Sequence, residues 1–589
     1  MAKIRKIEIE NFRCIKKLVW HPTSGINCLI GPGDSGKSTV LDAIYLCLGA
    51  RRNLQFFDTD FFGLEIQNPI CITLAIGDLD DSMKSIDNYG LFLRSYNVKT
   101  NQIDDEPSEE KETDIILSLN LCVTKDLDPV FTLLSDRARS QGVVKTLSWK
   151  DRAALEPARI GTYANCNFNW QRGSVLNRIT DERVHASLVL IEALRNARET
   201  FGIQADKHLE EALHIVTQTA QEFGVSIGGT ARALLDMKSV ASGGETIALH
   251  GSDGVPLRAL GVGSARLLVA SLQRKVLDKP SIVLSDELEY GLEPHRIIRF
   301  LGSLGAKEEN PGQVFLTTHS PVALKELSAE QLFVLRKNST EHYVKCVRSK
   351  DHVVTCVRGK DHVQGTIRCY PEAFLSTSVV ICEGASEVGL LRGLDLYRVE
   401  NGMTSLAAQG VALVDGKGVD NLYTTAMPFK DLGYRVIVFR DNDKKPDQKT
   451  EDLFARKEAG EDCKIVTYQE DWALEDAMFC SLSVAACKQL IEFAVNLYGK
   501  VICDQIKTAS QETLQLHQIC DEIEKKAELS PHSRQTLSKA SRFHSGWFKT
   551  IYKMEEIAHK IIGADLSKCA LQFRSPVETI FEWAKSGVR

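Results

Sequence analysis

Val379-Val-Ile-Cys-Glu-Gly-Ala-Ser-Glu387 is the stretch around which this 589-residue chain is organised. An apolar run that ends at a glycine predicts a short buried strand. Residues 386–395 predict a helix, which places Glu383 at the strand tip and Glu387 in the first helical turn. Two carboxylates would then lie side by side at one end of a sheet, where a metal ion could bind.

A second pair of acids ends the strand predicted in Val436-Ile-Val-Phe-Arg-Asp-Asn-Asp443. Between the two pairs, residues 410–418 predict another strand and a glycine turn, with a helix from Val419 onward. Strands that alternate with helices predict a small parallel α/β sheet, with its site at the carboxyl ends of the strands. Hard cations such as Mg²⁺ or Mn²⁺ prefer oxygen ligands, so Asp441 and Asp443 would complete a cation site with the first pair.

The composition is that of ordinary globular protein, with 25% charged and 43% apolar residues. At ~150 residues per domain, the chain should hold roughly three or four domains. The net charge of −6 argues neither for nor against nucleic acid, so any basic surface must be local. No run approaches ~18 apolar residues, which predicts no membrane span. The sixteen scattered cysteines contain no Cys-x-x-Cys pair and predict free thiols in a reducing cytoplasm.

Asn27-Cys-Leu-Ile-Gly-Pro-Gly-Asp-Ser-Gly-Lys-Ser-Thr39 predicts a strand, a glycine-rich loop and the start of a helix. It satisfies the pattern G-x-x-x-x-G-K-[ST], in which backbone N–H groups and the helix N-terminus hold the phosphates of ATP. Lys37 would reach the β- and γ-phosphate oxygens, and Ser38 would bind Mg²⁺. The predicted nucleotide-binding residues of this loop are Gly31, Gly33, Ser35, Gly36, Lys37, Ser38 and Thr39.

Two later predicted strands agree with an ATPase. Pro280-Ser-Ile-Val-Leu-Ser-Asp-Glu287 ends in an Asp-Glu pair, in which Asp286 would hold Mg²⁺ through water and Glu287 would polarise the attacking water. Gln313-Val-Phe-Leu-Thr-Thr-His-Ser-Pro321 would deliver His319 beside the γ-phosphate. A lone histidine after a strand is usually structural, but its place about thirty residues beyond the Asp-Glu pair favours a switch histidine.

Two segments compete for the signature loop that senses phosphate in an ABC-type ATPase. Ser242-Gly-Gly-Glu245 has the expected letters, but a strand and a turn are predicted directly after it, as in a hairpin. Gly261-Val-Gly-Ser-Ala-Arg266 opens a predicted helix that leads to the Asp-Glu strand. Gly261, Gly263 and Ser264 are therefore the predicted signature residues, which would act across a head-to-head dimer on the γ-phosphate of the partner.

Two further segments leave their interpretation open. Residues 180–222 carry apolar residues at helical spacing, which predicts either a dimerisation hairpin or a helical layer packed on its own domain. The ten-residue unit 344–353 recurs at 354–363. Its Cys and His residues could form a zinc set, but their spacing is not that of common zinc fingers. A tandem duplication that lengthens a linker or hairpin explains the repeat more simply.

Two single residues further along the chain are also candidates. Glu475, in Gln469-Glu-Asp-Trp-Ala-Leu-Glu-Asp476, is either another metal ligand or a plain acid at the N-terminus of a helix. Lys549 follows two aromatic residues in Ser545-Gly-Trp-Phe-Lys549. Most lysines are simply solvated, whereas one held beside aromatics near an acid cluster could stabilise charge on the reacting phosphate or on the leaving oxygen.

Together these motifs resemble known families. Phe12-Arg13, the glycine-rich loop, the Gly261–Ser264 loop, Asp286-Glu-Leu-Glu-Tyr-Gly-Leu-Glu-Pro-His295 and the His319 strand resemble the ABC-type ATPases of the SMC/RecF/OLD group. Leu288 departs from the proline that many relatives carry there. Glu-Gly-x-x-Glu and the later Asp-x-Asp resemble a Toprim domain. An ATPase followed directly by Toprim resembles the OLD (overcoming lysogenisation defect) family of ATP-dependent nucleases, over nearly the whole chain.

This resemblance implies metal-dependent cleavage of DNA, often with two ions, by oligomers built through the ATPase region. In such chemistry one ion activates water and the other stabilises the leaving oxygen. By motif match, the metal ligands of the Toprim site would be Glu383, Glu387, Asp441, Asp443 and Glu475. The implied catalytic residues are Glu287, His319, Glu383 and Lys549. The implied cofactors are ATP and Mg²⁺ or Mn²⁺, the latter at both sites.

The predicted fold class is α/β, with an ABC-type ATPase that carries an inserted helical dimerisation segment, then a Toprim domain and a helical C-terminal region. The predicted boundaries are 1–175 and 229–345 for the two parts of the ATPase, 176–228 for the helical insertion, 346–368 for the linker, 369–480 for Toprim and 481–589 for the helical C-terminal part.

The leading hypothesis is an ATP-regulated, metal-dependent endonuclease or nickase of DNA that serves defence against phage in the cytoplasm. Its expected partners are DNA, a second copy or higher homo-oligomer, and a protein or nucleic-acid trigger of a defence system. Three alternatives stay open. These are a Toprim topoisomerase, disfavoured because 477–589 is short and predicted helical, a RecF-like ATP-switched DNA-binding protein without cleavage, and a toxin nuclease that cuts RNA such as tRNA.

Overall fold

The computed structural model describes residues 2–50, 54–108, 112–160, 168, 205, 207–235, 247–276, 282–308, 312–337, 341–347, 362–456, 462–543 and 546–587. The chain divides into two compact units, Met1–Val353 and Val354–Arg589. This division lies inside the predicted linker 346–368, and the finer domain boundaries stay predictions. None of the helices in these described ranges is both long and apolar enough to span a membrane.

The first unit contains two main sheets, a two-stranded hairpin and helices between the strands. Its strands are β1 (Lys3–Phe12), β2 (Ile15–Trp20), β3 (Ile26–Ile30), β4 (Ile70–Gly77), β5 (Leu93–Asn97), β6 (Ile103–Asp104), β7 (Thr113–Val123), β8 (Pro129–Leu134), β9 (Ala158–Ile160), β10 (Arg232–Leu235), β11 (Ile247–His250), β12 (Val283–Ser285), β13 (Val314–Thr317), β14 (Leu332–Lys337) and β15 (His342–Cys346). Its α-helices are α1 (Lys37–Leu48), α2 (Ile86–Tyr89), α3 (Asp136–Ser140), α4 (Trp149–Ala154), α5 (Glu210–Glu222), α6 (Val262–Val276), α7 (Pro294–Ser303) and α8 (Pro321–Glu326). Single 3₁₀ turns span Asp58–Asp60, Phe62–Leu64, Gly90–Phe92, Leu257–Ala259 and Ala329–Gln331.

One sheet of this unit is antiparallel, and the other is built around the strand before the glycine-rich loop. The antiparallel sheet has the order β2-β1-β4-β7-β5-β6, and β8 also pairs with β7. The second sheet has the order β15-β14-β3-β13-β12-β9. All five residues of β3 are buried, as expected for a parallel strand covered on both faces. Because β3, β13 and β12 run parallel, the loops that follow them meet at one edge.

The second unit is a parallel sheet with helices, followed by a helical tract. Its strands are β16 (Ser378–Cys382), β17 (Val411–Asp415), β18 (Arg435–Arg440) and β19 (Cys463–Thr467). Its α-helices are α9 (His362–Cys369), α10 (Ala385–Glu400), α11 (Val419–Asp431), α12 (Gln448–Ala455), α13 (Leu474–Ser481), α14 (Val484–Tyr498), α15 (Val501–Ala509), α16 (Leu516–Lys526), α17 (Pro531–Ser541), α18 (Ile551–Ile557), α19 (Gly563–Asp565) and α20 (Leu571–Ser586). A 3₁₀ turn spans Pro371–Leu375, and a π turn, Ala558–Ile562, joins α18 to α19.

The predicted parallel sheet of the second unit is confirmed. Its order is β17-β16-β18-β19, and every neighbouring pair is parallel. The central strand β16 is buried at all five positions. It lies directly beside β18, so the two predicted acid pairs follow neighbouring strands at the same edge. The C-terminal helices share one hydrophobic core with this sheet, which includes Trp547 and Phe573.

Some predictions fall partly or wholly outside the described residues. Of the segment 180–222, the structure describes only its C-terminal part, in which α5 is helical as predicted. The Ser242–Glu245 segment and most of the ten-residue repeat lie outside the described ranges. The dimerisation role of the insertion and the choice between zinc binding and simple duplication therefore stay predictions.

Candidate functional site

Lys37 of the glycine-rich loop is folded back onto the loop itself. Its Nζ donates to the carbonyl oxygens of Gly31 at 3.1 Å and Pro32 at 2.8 Å, and to Ser35 Oγ at 3.3 Å. Burial lowers the pKa of the Lys37 ammonium. Gly31 has a φ of +146°, and a Cβ there would stand 2.5 Å from the carbonyl oxygen of Leu335. The loop thus presents a cation and a cradle that only glycine allows, which is the environment a phosphate chain needs.

The other predicted residues of this loop frame the start of α1. Gly36 precedes the helix with a φ of +94°, and its Cβ position is crowded by Cys14. Gly33 has open space around it. Thr39, in the first helical turn, has its Oγ1 3.4 Å from Cys14 Sγ. These positions agree with a loop that wraps around a ligand in front of a helix N-terminus.

Ser38 and Asp286 meet although they come from different parts of the chain. Ser38 Oγ donates to Asp286 Oδ1 at 3.0 Å, and Thr317 Oγ1 donates to the same oxygen at 2.5 Å. The backbone N–H of Glu287 donates to Thr317 Oγ1 at 2.8 Å. Glu287 has a φ of +45°, in the left-handed region that few non-glycine residues adopt. The hydroxyl–carboxylate pair is the arrangement that holds Mg²⁺ beside a nucleotide.

His319 is fixed by an acid that the sequence analysis did not single out. The backbone N–H of His319 donates to Glu289 Oε1 at 2.7 Å, and Thr318 Oγ1 donates to Glu289 Oε2 at 2.6 Å. Burial and then the positive charge of Lys37 lower the pKa of the His319 imidazole. Glu289 thus ties the loop after β12 to the loop after β13. Its only sequence signal is its place two residues beyond the Asp-Glu pair.

The predicted signature residues open α6, as expected. Ser264 Oγ accepts a hydrogen bond from Arg296 Nη1 at 2.7 Å. Gly263 packs so closely on the carbonyl of Gly291 that a Cβ would overlap with it, whereas Gly261 has open space. The segment is therefore anchored to the loop that follows β12, with one face open.

Arg266, two residues further along α6, was also missed by the sequence analysis. It is fully buried. Its guanidinium donates to the carbonyl oxygens of Asp286 at 2.8 Å, Glu287 at 2.9 Å and Tyr290 at 2.8 Å. Burial lowers the pKa of this guanidinium. From α6, Arg266 thus holds the backbone of the Asp286-Glu287 pair in position.

In the second unit, backbone amides orient three of the predicted metal ligands. Glu383 Oε2 accepts from the N–H of Asp441 at 3.1 Å. Glu387 Oε2 accepts from the N–H of Gly384 at 2.7 Å, and Asp441 Oδ1 accepts from the N–H of Leu474 at 2.9 Å. The carboxylates are thus held at the meeting point of β16, α10, β18 and α13. Since each carboxylate has two oxygens, one oxygen can accept from a backbone amide while the other binds a metal ion.

These three acids, of which Glu387 is buried and the other two are partly buried, share a negative environment. Burial, followed by the charges of Glu475 and Glu383, raises the pKa of Glu387 to about 8. Burial and then the charges of Glu387, Glu383, Glu475 and Asp443 raise the pKa of Asp441 well above its usual value. Burial also raises the pKa of Glu383. A site in which burial and neighbouring negative charges make carboxylates resist ionisation is electrostatically suited to a cation.

Asp443 and Glu475 are brought to the same place, together with an arginine that the sequence analysis missed. Glu475 is buried, with 5% of its surface exposed. Arg542 Nη1 lies 3.7 Å from Asp443 Oδ2, and Arg542 Nε lies 3.8 Å from Glu475 Oε2. The same guanidinium forms an ion pair with Asp476. Nothing in the spacing of the helical tract distinguishes Arg542 from other basic residues of that region.

Lys549 is placed differently from these acids. Trp547 and Phe548 before it are buried, as expected for aromatics of the core, but Lys549 itself is exposed. A Cβ on Gly546 would stand 2.5 Å from Lys549 Cγ, so the lysine stem lies over that glycine. Among the described residues the structure gives Lys549 no contact with the predicted metal ligands, and its catalytic role stays a prediction.

The donor chemistry of the acid cluster fits a hard divalent cation. All five predicted ligands are carboxylates, the donors that Mg²⁺ and Mn²⁺ prefer. In the described ranges no group of three or more His, Cys, Asp or Glu side chains is arranged closely enough to hold an ion as it stands. The residues that would hold the ion are Glu383, Glu387, Asp441, Asp443 and Glu475.

Three family models match the chain in succession. The AAA ATPase domain matches residues 2–140, and an AAA domain described as a putative AbiEii toxin of a type IV TA system matches residues 187–325. The TOPRIM domain of overcoming lysogenization defect protein-like proteins matches residues 374–443. The chain is thus an ATPase–Toprim fusion. Its domain order matches that of the OLD family, as predicted.

Further similarities extend to curated proteins and solved structures. The DNA replication and repair protein RecF of Prosthecochloris aestuarii is 42% identical over 45 residues, which are 8% of this chain and 12% of RecF. The chromosome partition protein Smc of Methanocaldococcus jannaschii is 38% identical over 64 residues, 11% of this chain and 6% of Smc. The Smc head bound to the C-winged helix domain of ScpA is 17% identical, with a TM-score of 0.34, over 58% of this chain and 96% of that one. The matched segments thus span only a small part of these curated relatives.

Proposed function

We propose that this protein is an ATP-binding and ATP-hydrolysing, divalent-metal-dependent endonuclease or nickase of DNA. The observation that carries the proposal is the convergence of acids from β16, α10, β18 and α13 at one edge of a parallel sheet. Glu383, Glu387 and Asp441 among them share a partly buried environment in which neighbouring negative charges raise their pKa values. A globular protein gains no stability from such an arrangement without a cation, so its function lies in binding one.

Different residues of the chain would bind the metal ions, orient the carboxylates and supply positive charge at this site. Glu383, Glu387, Asp441, Asp443 and Glu475 would hold one or two Mg²⁺ or Mn²⁺ ions, which when bound activate water and neutralise the leaving oxygen of a phosphodiester. The backbone amides of Asp441 and Leu474 would keep two of the carboxylates in orientation. Lys549 would contribute positive charge toward the reacting phosphate.

The ATPase unit would regulate this chemistry. Lys37 would exchange its loop carbonyl partners for phosphate oxygens, and Ser38 with Asp286 would hold Mg²⁺. Glu287 would orient the attacking water, and His319 would contact the γ-phosphate. Gly261 is exposed, and with Gly263 and Ser264 it would contact the nucleotide of a second copy in a head-to-head dimer. The functional unit would then be a homodimer or higher oligomer.

DNA is the favoured substrate, in cytoplasmic defence against phage. The named relatives act in DNA replication, repair and chromosome partition, and the Toprim match belongs to overcoming lysogenization defect protein-like proteins. A second candidate is a toxin nuclease that cuts RNA, which the match to a putative AbiEii toxin domain favours. A protein or nucleic-acid trigger would switch either activity on.

Incubating the purified protein with supercoiled plasmid and with tRNA tests these alternatives. Reactions contain Mg²⁺ or Mn²⁺, with and without ATP. Nicking or linearisation of the plasmid that Glu383→Gln abolishes supports the proposal. Glu470→Gln is the matched control, because Glu470 is an exposed acid that pairs with Lys445 at 2.8 Å near the same edge. Cleavage of tRNA alone selects the toxin function, and normal cleavage by Glu383→Gln overturns the site.

A further inference from the structure

Arg542 is a basic side chain that the structure brings close to the acid cluster, and no motif led to it. It directly follows α17, as the C-terminal cap of that helix. Its guanidinium reaches acids from two elements, Asp443 after β18 at 3.7 Å and Glu475 in α13 at 3.8 Å. A positive charge therefore lies between two of the five predicted metal ligands.

The firm anchor of this guanidinium is a different acid. Asp476 forms the closest ion pair with Arg542. Asp476 is itself held, because its Oδ2 accepts from the N–H of Ala473 at 2.9 Å and its Oδ1 accepts from Ser538 Oγ. Arg542 Nη2 also donates to Ser538 Oγ at 3.4 Å. The guanidinium is thus fastened by α13 and α17 rather than by the predicted metal ligands.

The Arg542 guanidinium lies farther from the predicted metal ligands than from Asp476. Distances of 3.7 and 3.8 Å to Asp443 and Glu475 exceed the ~3.2 Å limit of a good N–H···O hydrogen bond. The buried Nε of Arg542 has no hydrogen-bond partner among the described residues. Nη1, which lies 3.7 Å from Asp443, keeps donor capacity on the side that faces the acid cluster. An arginine fork of this kind matches the two oxygens of a phosphate.

We propose that Arg542 is a substrate-contacting residue of the nuclease site. Held by Asp476 and Ser538, it balances the charge of Asp443 and Glu475 in the cation-free protein. With divalent cations on those carboxylates, it donates to a non-bridging oxygen of the phosphodiester. This inference rests on the proposed nuclease function and adds a residue to it.

The two parts of this role predict effects of opposite direction. A fixed positive charge beside the ligands of a cation weakens cation binding, so removing it should strengthen that binding. Removing a donor from the phosphodiester should slow cleavage. A variant with a damaged fold would bind the cation more weakly and also cleave more slowly. Tighter Mn²⁺ binding together with slower cleavage is therefore specific to the proposed role.

The test compares Arg542→Gln, Arg542→Lys and a control by two measurements. Calorimetric titration with Mn²⁺ alone uses the nucleotide-free full-length chain that also carries Ser38→Ala and Asp286→Asn, so that the heat reports the carboxylate site. Plasmid nicking uses the otherwise unaltered chain. The matched control is Arg574→Gln, because Arg574 pairs with Glu578 at 3.4 Å within one helix.

Arg542→Gln should bind Mn²⁺ about threefold or more tightly than the parent chain and nick plasmid about 100-fold more slowly. Arg542→Lys keeps the charge but not the fork, so its Mn²⁺ affinity should stay unchanged while kcat falls about tenfold. Arg574→Gln should match the parent in both measurements.

Unchanged or weaker Mn²⁺ binding by Arg542→Gln overturns the electrostatic part of the proposal. Normal nicking by that variant overturns the contact with the phosphodiester. If the parent chain cleaves no nucleic acid, the proposed function fails, and the Mn²⁺ titration still decides whether Arg542 opposes cation binding.

Discussion

Glu387 shows how one side chain serves the local structure and the proposed chemistry together. Its Oε2 accepts from the N–H of Gly384, which satisfies a free amide at the start of α10. The same carboxylate is 4% exposed and lies near the charges of Glu475 and Glu383. The burial that makes its ionisation unfavourable is also what makes the site attractive to a dication.

Glu387→Gln should stabilise the cation-free protein and inactivate it as a nuclease. The folded-state pKa of about 8 lies above the usual 4.5, so the parent loses stability as pH rises from about 4.5 to about 8. Glutamine keeps an oxygen for the Gly384 amide but removes the charge. Unfolding by urea in EDTA should show a gain of roughly 2–4 kcal/mol at pH 8.5 and a much smaller gain at pH 5.

Glu528→Gln, at an exposed acid of the same unit, should show no such pH dependence. Equal stability of Glu387→Gln and the parent at pH 8.5 would mean that ionisation of Glu387 does not destabilise the folded protein. Plasmid nicking by Glu387→Gln should fall about 100-fold or more, since a predicted ligand is lost.

Glu289→Gln should slow ATP hydrolysis without weakening ATP binding. Glu289 uses both oxygens to hold Thr318 and the backbone of His319, and an amide supplies only one acceptor. Misplacement of the switch segment should lower kcat about tenfold and change KM little. Glu330→Gln is the control, because Glu330 is an exposed acid of the same unit. A raised KM with normal kcat would show that Glu289 acts in binding instead.

Among the elements of the second unit, α10 and α18 approach each other unusually closely. A Cβ on Gly389 would stand 2.6 Å from the carbonyl oxygen of Ile551. Gly389 lies two residues beyond Glu387, so this contact sets where the helix that carries Glu387 rests on the C-terminal tract. The glycine is required by packing, because its backbone is ordinary helix.

Gly389→Ala should therefore destabilise the second unit by about 1–3 kcal/mol, the usual cost of overpacking. Chemical unfolding in urea measures the change. Gly365→Ala in α9 is the control, because a Cβ there meets nothing within 4 Å. That substitution should be neutral or stabilise by up to about 1 kcal/mol through helix propensity. Equal effects of the two alanines would contradict the close approach of α10 and α18.

In the described part of the chain, a large hydrophobic cluster lies within the first compact unit and another lies within the second. Units with their own cores can unfold separately. Calorimetry should therefore resolve two transitions. ATP added in the presence of Mg²⁺ should raise the Tm of the first unit above its value in Mg²⁺ alone. Mn²⁺ added to the metal-free protein should raise the Tm of the second unit. Each rise should be about 5 °C at saturating ligand.

Two variants assign these transitions. Lys37→Ala should remove the response to ATP, and Glu387→Gln should remove the response to Mn²⁺. Glu287→Gln in the ATP experiment prevents hydrolysis during the scan. A single transition that both ligands raise together would show that the two units unfold as one.

Local patterns were sufficient to predict the elements and the class of the protein. The strand β16 was predictable because an unbroken apolar run before Gly384 has few other structures available. The glycine-rich loop was predictable because its glycines and Lys37 must follow each other closely to enclose phosphate. Both acid pairs were predictable because each adjoins the end of a strand that the sequence marks clearly.

Contacts between distant segments were not available from such patterns. Ser538 and Asp476, which hold Arg542, are 62 positions apart, and Leu474 reaches Asp441 across 33. A helical lysine or arginine looks alike in sequence whether it is solvated or packed against acids. Lys549 was chosen for its aromatic neighbours and lies exposed, whereas Arg542 carried no local signal.

The difference between what the sequence predicts and what only the tertiary structure decides has a physical cause. Strand, loop and helix follow from apolar periodicity and from the backbone freedom of glycine, which act over a few neighbouring residues, so the order of residues specifies them. The charge balance at the carboxylates depends on which side chains the packing of α13 and α17 brings within about 4 Å, where electrostatic energies become large. Folding in three dimensions therefore assigned Arg542, Asp476 and Glu289 to the two sites.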